Sequence, residues 1–310
     1  MLIQNPPVAV APRLWMLGTT EYPLFLYRGE GQSTIFEGGT GAMGPVLGRQ
    51  LDDLGIDPAT VGQAVVTHAH PDHVMAIPAF RAMFPSVTVL ASEAAGQTLA
   101  AEKAIGFFRK VDEALTGSLL AAGRITADDR PQPMSGNTIP IDRTLAEGDR
   151  VDVDDGVAFT VLETPGHSAC SLSFHEPGDG LLIISDATGY YLPEHHVWWP
   201  NYFTDYAAYL GSMNRLSGLG AEVLCLSHNG VITGAADVGA YFDGAIAATE
   251  AYHEQIVEQA TAGASVRTIA EGLGADVYEK TQLLPLEFFQ KNCSLLVKQS
   301  LRYAGIAPAE

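Results

Sequence analysis

Lysine and arginine are scarce. They number 17 against 36 aspartates and glutamates, which leaves a formal net charge of −19 at pH 7. A chain this acidic repels the phosphates of nucleic acid and of anionic membranes, so neither is expected as a partner. Cysteine is rare too: Cys170, Cys225 and Cys293 stand far apart in apolar surroundings. An odd, scattered count excludes a disulfide framework and reads as buried thiols in a reducing compartment, here the cytoplasm. Nowhere do about eighteen apolar residues run together, so no helix is expected to span a bilayer. The first residues, Met1-Leu2-Ile3-Gln4-Asn5-Pro6-Pro7, lack the basic start and long apolar stretch of a secretory signal. Apolar residues are plentiful at 47%, enough to bury a large core in one large α/β domain or two small ones.

One stretch stands apart from this background. After the apolar run Ala64-Val65-Val66 come Thr67-His68-Ala69-His70-Pro71-Asp72-His73. Strongly hydrated imidazoles and a carboxylate do not crowd together for packing. They do crowd around a divalent metal, which they bind through lone pairs.

Further donors follow the same grammar of a short β run, a donor and then turn residues. Val161-Leu162-Glu163-Thr164-Pro165-Gly166-His167 ends in an imidazole. Leu181-Leu182-Ile183-Ile184-Ser185-Asp186 ends in a carboxylate. Val223-Leu224-Cys225-Leu226-Ser227-His228 ends in another imidazole. A lone histidine after a strand is more often a loop residue than a ligand, but donors at several strand ends suit convergence. The set over-fills one tetrahedral site and suits two metals sharing a water. The assignment is His68, His70 and His167 to one metal, Asp72, His73 and His228 to the other, and Asp186 as bridge. Cys170, three residues past His167, is set aside as a ligand because strand alternation aims it elsewhere. Zinc is the first expectation for the two divalent ions, with iron or manganese as alternatives.

The set HxHxDH, then His, then Asp, then His, resembles the metallo-β-lactamase superfamily of dinuclear hydrolases over about Leu14 to Gly230. Phe25-Leu26-Tyr27 and Thr34-Ile35-Phe36-Glu37-Gly38-Gly39 look like its opening strands and glycine turn. Within it, the chain is similar to thioesterase-type members such as the quinolone-signal response protein. That likeness rests on Phe36-Glu37-Gly38-Gly39, Val89-Leu90-Ala91-Ser92-Glu93, a helical insert and a helical C-terminus. Ser227 is a departure, since the family commonly has glycine there. The resemblance implies an α/β fold, an αβ/βα sandwich of two mixed sheets with outer helices.

That architecture agrees with two halves, 13–93 and 145–234, that each alternate strands with helical stretches. The expected domains are a catalytic domain over 1–234, with a helical insert at about 94–122, and a C-terminal helical extension over 235–310. Helices are expected at about 236–261, 265–273 and 284–303, and a loop at 126–140. The extension reads as ordinary packing or as an active-site lid. Tyr190, Trp198, Phe288 and Phe289 are the candidate substrate-binding residues, on an aromatic loop and the last helix. His195 and His196 read as surface or substrate-contacting.

Two metals bring the pKa of a shared water toward about 7. Asp72, the one catalytic candidate, would both ligate and orient that water. No further acid is visible. A thiolate, whose thiol has a pKa of about 8.5, departs without one, which favours a small acyl thioester or activated ester over an amide. The alternatives are a lactonase of the acyl-homoserine lactone type and a regulatory protein with vestigial hydrolase activity. The expected partner is a small-molecule substrate, and a homodimer is compatible with the chain.

Overall fold

A computed structural model describes residues 1–154, 156–282 and 284–307. The strands are β1 (Leu2–Ile3), β2 (Val8–Ala9), β3 (Leu14–Gly18), β4 (Pro23–Arg28), β5 (Ser33–Phe36), β6 (Val61–Val65), β7 (Thr88–Ser92), β8 (Arg143–Leu145), β9 (Arg150–Asp154), β10 (Val157–Glu163), β11 (Leu172–Glu176), β12 (Leu181–Ile183), β13 (Tyr190–Leu192), β14 (Val197–Trp199), β15 (Val223–Cys225) and β16 (Val231–Thr233). The helices are α1 (Met43–Asp53), α2 (Ile77–Met83), α3 (Glu93–Leu99), α4 (Glu102–Ala121), α5 (Tyr206–Ser217), α6 (Ala235–Thr261), α7 (Val266–Thr281) and α8 (Leu286–Ala304).

The chain divides into two compact units. Unit 1 comprises Met1–Glu163, Cys170–Ser185 and Ala221–Ala235. It holds two mixed sheets, ordered β2-β3-β4-β5-β6-β7-β8 and β1-β16-β15-β12-β11-β10-β9. Their facing sides share one core, where Phe36 lies 4.8 Å from Phe159 and 5.2 Å from Phe174, ring to ring. On β4, Phe25 and Tyr27 join that core while Leu24 and Leu26, on the opposite face, are buried as well. A strand covered on both faces reads as a continuous apolar run, which is why Leu24-Phe25-Leu26-Tyr27 does not alternate with polar residues.

The parallel pairs position the site. β5, β6 and β7 run parallel, as do β12 and β15. Donors follow the carboxyl ends of β6 and β15, and Glu37 and Ser185 follow β5 and β12. The first strand, β1, pairs with β16, with Leu2 opposite Ile232. Gly230 has to be glycine here, because a Cβ would come within 2.5 Å of the Ile3 carbonyl oxygen and its φ is +134°.

Unit 2 comprises Thr164–Ala169, Asp186–Gly220 and Ala236–Glu310, with residues 308–310 outside the described residues. It carries the β13–β14 hairpin and the helices α5 to α8 around Tyr202, Tyr209, Phe242, Phe289 and Leu296. Tyr202 and Ser300 share a buried hydrogen bond at 2.9 Å. Burial pushes the Cys293 thiol up to about 12, so it is an inert core residue.

Helix bounds differ from expectation in two places. The insert is two helices, α3 and α4, separated at Ala100-Ala101. The helix expected over 265–273 continues to Thr281 as α7. Gly274 lies within it and is a crossing point, where a Cβ would stand 2.7 Å from the backbone of Gln290 on α8. The helix stops instead at Gln282, in the left-handed conformation. Among the described residues no helix is long and apolar enough to cross a membrane.

Candidate metal centre

Proline shapes the central loop of unit 1. His70 is extended, as the residue before a proline prefers, and Pro71 opens a 3₁₀ turn over Pro71–His73. That turn brings Asp72 and His73 together with His228, which follows β15. One ligand atom from each of the three lies within 4.8 Å of the others. Asp72 Oδ2 is 3.5 Å from His73 Nε2 and 3.6 Å from His228 Nε2. In the same unit His68 Nε2 lies 3.0 Å from His70 Nδ1.

Three of these imidazoles, those of His68, His73 and His228, are held from behind. The carbonyl oxygen of Glu21 accepts from His228 Nδ1 at 2.8 Å, and Glu37 accepts from His73 Nδ1 at 2.8 Å. His68 Nδ1 meets the Ser185 hydroxyl at 2.9 Å. The Glu21 side chain is itself tied to Arg124, just past α4, at 2.8 Å. A carbonyl oxygen only accepts, so His228 carries its proton on Nδ1 and offers the Nε2 lone pair inward.

In unit 2, His167 and Asp186 form a second pair, with Nε2 and Oδ2 3.2 Å apart. The Asn201 carbonyl accepts from His167 Nδ1 at 2.9 Å and sets the same tautomer. The loop before His167 is pressed onto the start of α5, where a Cβ on Gly166 would stand 2.3 Å from the Tyr209 backbone.

These spacings fit a metal. Donors at about 2.0–2.2 Å from a tetrahedral ion stand about 3.3–3.6 Å from one another. The observed separations run from 3.0 to 3.6 Å, and the longer ones exceed an ordinary hydrogen bond. Imidazoles with lone pairs turned inward, plus carboxylates, are the donor chemistry of zinc, iron and manganese. Cys170 is engaged elsewhere, since its sulfur receives the Ala69 amide at 3.3 Å.

The aromatic candidates lie in unit 2. Trp198 packs 4.7 Å from Tyr191 and 5.6 Å from Tyr241, against α6 at Gly244. Tyr190 is buried. Phe289 is buried 5.4 Å from Trp199, whereas Phe288 is half-buried. His195 and His196 are exposed at the hairpin turn, with His196 Nδ1 3.3 Å from the Tyr191 hydroxyl.

Several residues of the site were not singled out from sequence. Glu37 follows β5 as the donors follow their strands, and the sequence offers it only as part of the Phe36-Glu37-Gly38-Gly39 turn. Ser185 precedes Asp186. Asp112 is the one carboxylate on the buried side of α4. Its Oδ1 accepts the Gly41 amide at 2.7 Å. Burial, and to a lesser degree the charge of Asp72, raises its pKa to about 6 against the stabilising Gly41 hydrogen bond.

A family model described as the metallo-beta-lactamase superfamily matches residues 23–228. A hydroxyacylglutathione hydrolase of Cereibacter sphaeroides is 31% identical over 127 residues, which is 40% of this chain and 33% of that protein. The match thus spans about a third of the curated relative's length. Among solved structures, a metallo-beta-lactamase family protein of Thermus thermophilus superposes with a TM-score of 0.65 at 23% identity, over 96% of this chain and 95% of that one. A subclass B3 metallo-beta-lactamase of Bradyrhizobium japonicum gives 0.58 at 17%, over 84% and 96%. At such identities the structural likeness speaks for the fold.

Proposed function

The chain belongs to the metallo-beta-lactamase superfamily, and from that premise we propose that it is a metal-dependent hydrolase of small acyl thioesters, with activated esters as side substrates. The observation that carries this is the Asp72, His73 and His228 group, with donor spacings of 3.5 and 3.6 Å and imidazoles fixed from behind. Chain order assigns His68, His70 and His167 to a first metal, Asp72, His73 and His228 to a second, and Asp186 to both. Zinc is the proposed metal.

Bound metals would supply a water with a pKa of about 7 and polarise a carbonyl. Asp72 is the member of its group that reaches solvent, with 25% of its side chain exposed against 2% and 3% for His73 and His228. It is therefore the residue that holds and orients the attacking water. No dedicated acid stands in the donor set. That supports a leaving group with a thiol pKa of about 8.5, which departs as thiolate, over an amide nitrogen that needs a proton. The partial relative named for a hydroxyacylglutathione, an acylated thiol, supports the same choice. For the acyl contact we assign Phe288 before Phe289, since Phe289 is already buried against Trp199.

The test is a matched panel of thioester, lactone and phosphodiester substrates with the zinc-loaded protein. Catalytic efficiency should be highest on the thioester. A phosphodiester preference of about tenfold, roughly 1.4 kcal/mol in transition-state binding, would overturn the assignment.

A further inference from the structure

Glu37 lies just past β5 and is 1% exposed. It holds a left-handed backbone, φ +76°, although it is not glycine. Such a conformation is strained and persists where its surroundings over-determine it. Here the Glu37 amide donates to Val65 O at 3.0 Å, and the Gly38 amide donates to His73 O at 2.9 Å. The carboxylate is thereby aimed at the metal loop. Its second oxygen, Oε1, is buried with no hydrogen-bond partner among the described residues. Packing alone gives no reason to keep a group of that kind.

The hydrogen bonds around Oε2 have only one consistent direction. Oε2 receives His73 Nδ1 at 2.8 Å and the Thr67 hydroxyl at 2.9 Å. Thr67 has given its proton to the carboxylate, so it accepts from the Ser185 hydroxyl at 2.8 Å. Ser185 has then given its proton to Thr67, so it accepts from His68 Nδ1 at 2.9 Å. Every proton along this path points toward Glu37. Both His68 and His73 are left with Nδ1–H behind and a lone pair on Nε2 in front.

We propose that Glu37 is a positioning residue that sets the tautomers of His68 and His73 together, through Thr67 and Ser185 on one side and directly on the other, and so couples the loading of the two metals. The inference rests on the two-metal assignment above. It adds a regulator of that site that no ligand count contains. Coupling follows because one acceptor organises an imidazole in each metal's ligand set. Removing the carboxylate charge lets a neutral amide present a donor as well as an acceptor, and the direction of the whole path is lost.

Three proteins decide the matter: wild type, Glu37→Gln and Thr67→Val, titrated with zinc against a competing chelator. Glu37→Gln should weaken both zinc ions, by about 10–100-fold, the range seen when an outer partner of a ligand is removed. Thr67→Val keeps its shape and the Glu37–His73 contact, so it should weaken one zinc and leave the other within about twofold of wild type. A second readout is ¹⁵N NMR of histidine-labelled, metal-free protein, in which His68 and His73 should show Nδ1–H in wild type and mixed tautomers in Glu37→Gln. Unchanged constants and unchanged tautomers in Glu37→Gln would overturn the proposal. So would equal loss of both zincs in Thr67→Val, which marks general loosening. If Glu37→Gln does not fold, Thr67→Val and Ser185→Ala still give the one-sided loss or refute it. A wild type that binds fewer than two zinc ions rejects the two-metal assignment instead, and the coupling with it. The tautomer measurement then decides the relay on its own.

Discussion

Asp112 carries its charge at a cost. Its pKa is raised to about 6 from 3.8, first by burial. A raised carboxyl pKa means that the folded state holds the proton more tightly than the unfolded chain does. Its favourable contribution is therefore complete below about pH 3.8 and is lost as pH rises through about 6. Asp112→Asn keeps an oxygen for the Gly41 amide and removes the charge. It should stabilise the metal-free protein at pH 8 by on the order of 1–3 kcal/mol, with little effect near pH 4. Chemical denaturation at both pH values checks this, and equal effects at the two would refute it. Asp72 is the partly exposed member of its own group. Asp72→Asn should lower kcat by at least about 100-fold, within the range for a positioned acid or base, and weaken one zinc. Retained zinc with retained kcat would remove Asp72 from the chemistry.

At the level of elements, Gly274 is where α7 and α8 touch. Gly274→Ala gains helix propensity of about 1 kcal/mol but places a methyl group against the backbone of Gln290. Overpacking should win, with a net loss of about 1–2 kcal/mol. Zinc stoichiometry should not change. A rise in Tm would show that the crossing yields. The same glycine shows where sequence reading stops. A glycine that ends a helix and a glycine that lets two helices meet look alike until the partner helix is placed. The donor-bearing strand ends were legible because donor and turn are neighbours in the chain, as in β6 before His68 and β15 before His228. The groups that aim those donors were not. Two of them, at Glu21 and Asn201, are backbone carbonyls, which every residue has and no composition betrays. The αβ/βα architecture was legible from the order of strands and helices. The two-helix insert was not, because Ala100-Ala101 carries no breaker.

The whole molecule is acidic, and the donor groups add carboxylates to that field. Metal binding to the folded state alone stabilises by RT ln(1 + [L]/Kd). Stripping zinc with a chelator should therefore lower Tm by several degrees, and restored zinc should recover it. A Tm indifferent to zinc would mean that zinc does not bind the folded chain in preference to the unfolded one. The pairing of β1 with β16 has a consequence in time. Ile232, the partner of Leu2, is made 230 residues after it. At about 5–20 residues per second that is a wait of roughly 12–46 s. Through that interval the opening segment has no strand to join. The turn that carries His228 closes against Thr20 and Gln4, residues made more than two hundred positions earlier. The group of Asp72, His73 and His228 should thus be complete only late in synthesis, after His68, His70 and His73 have long been exposed to whatever ions the cell offers.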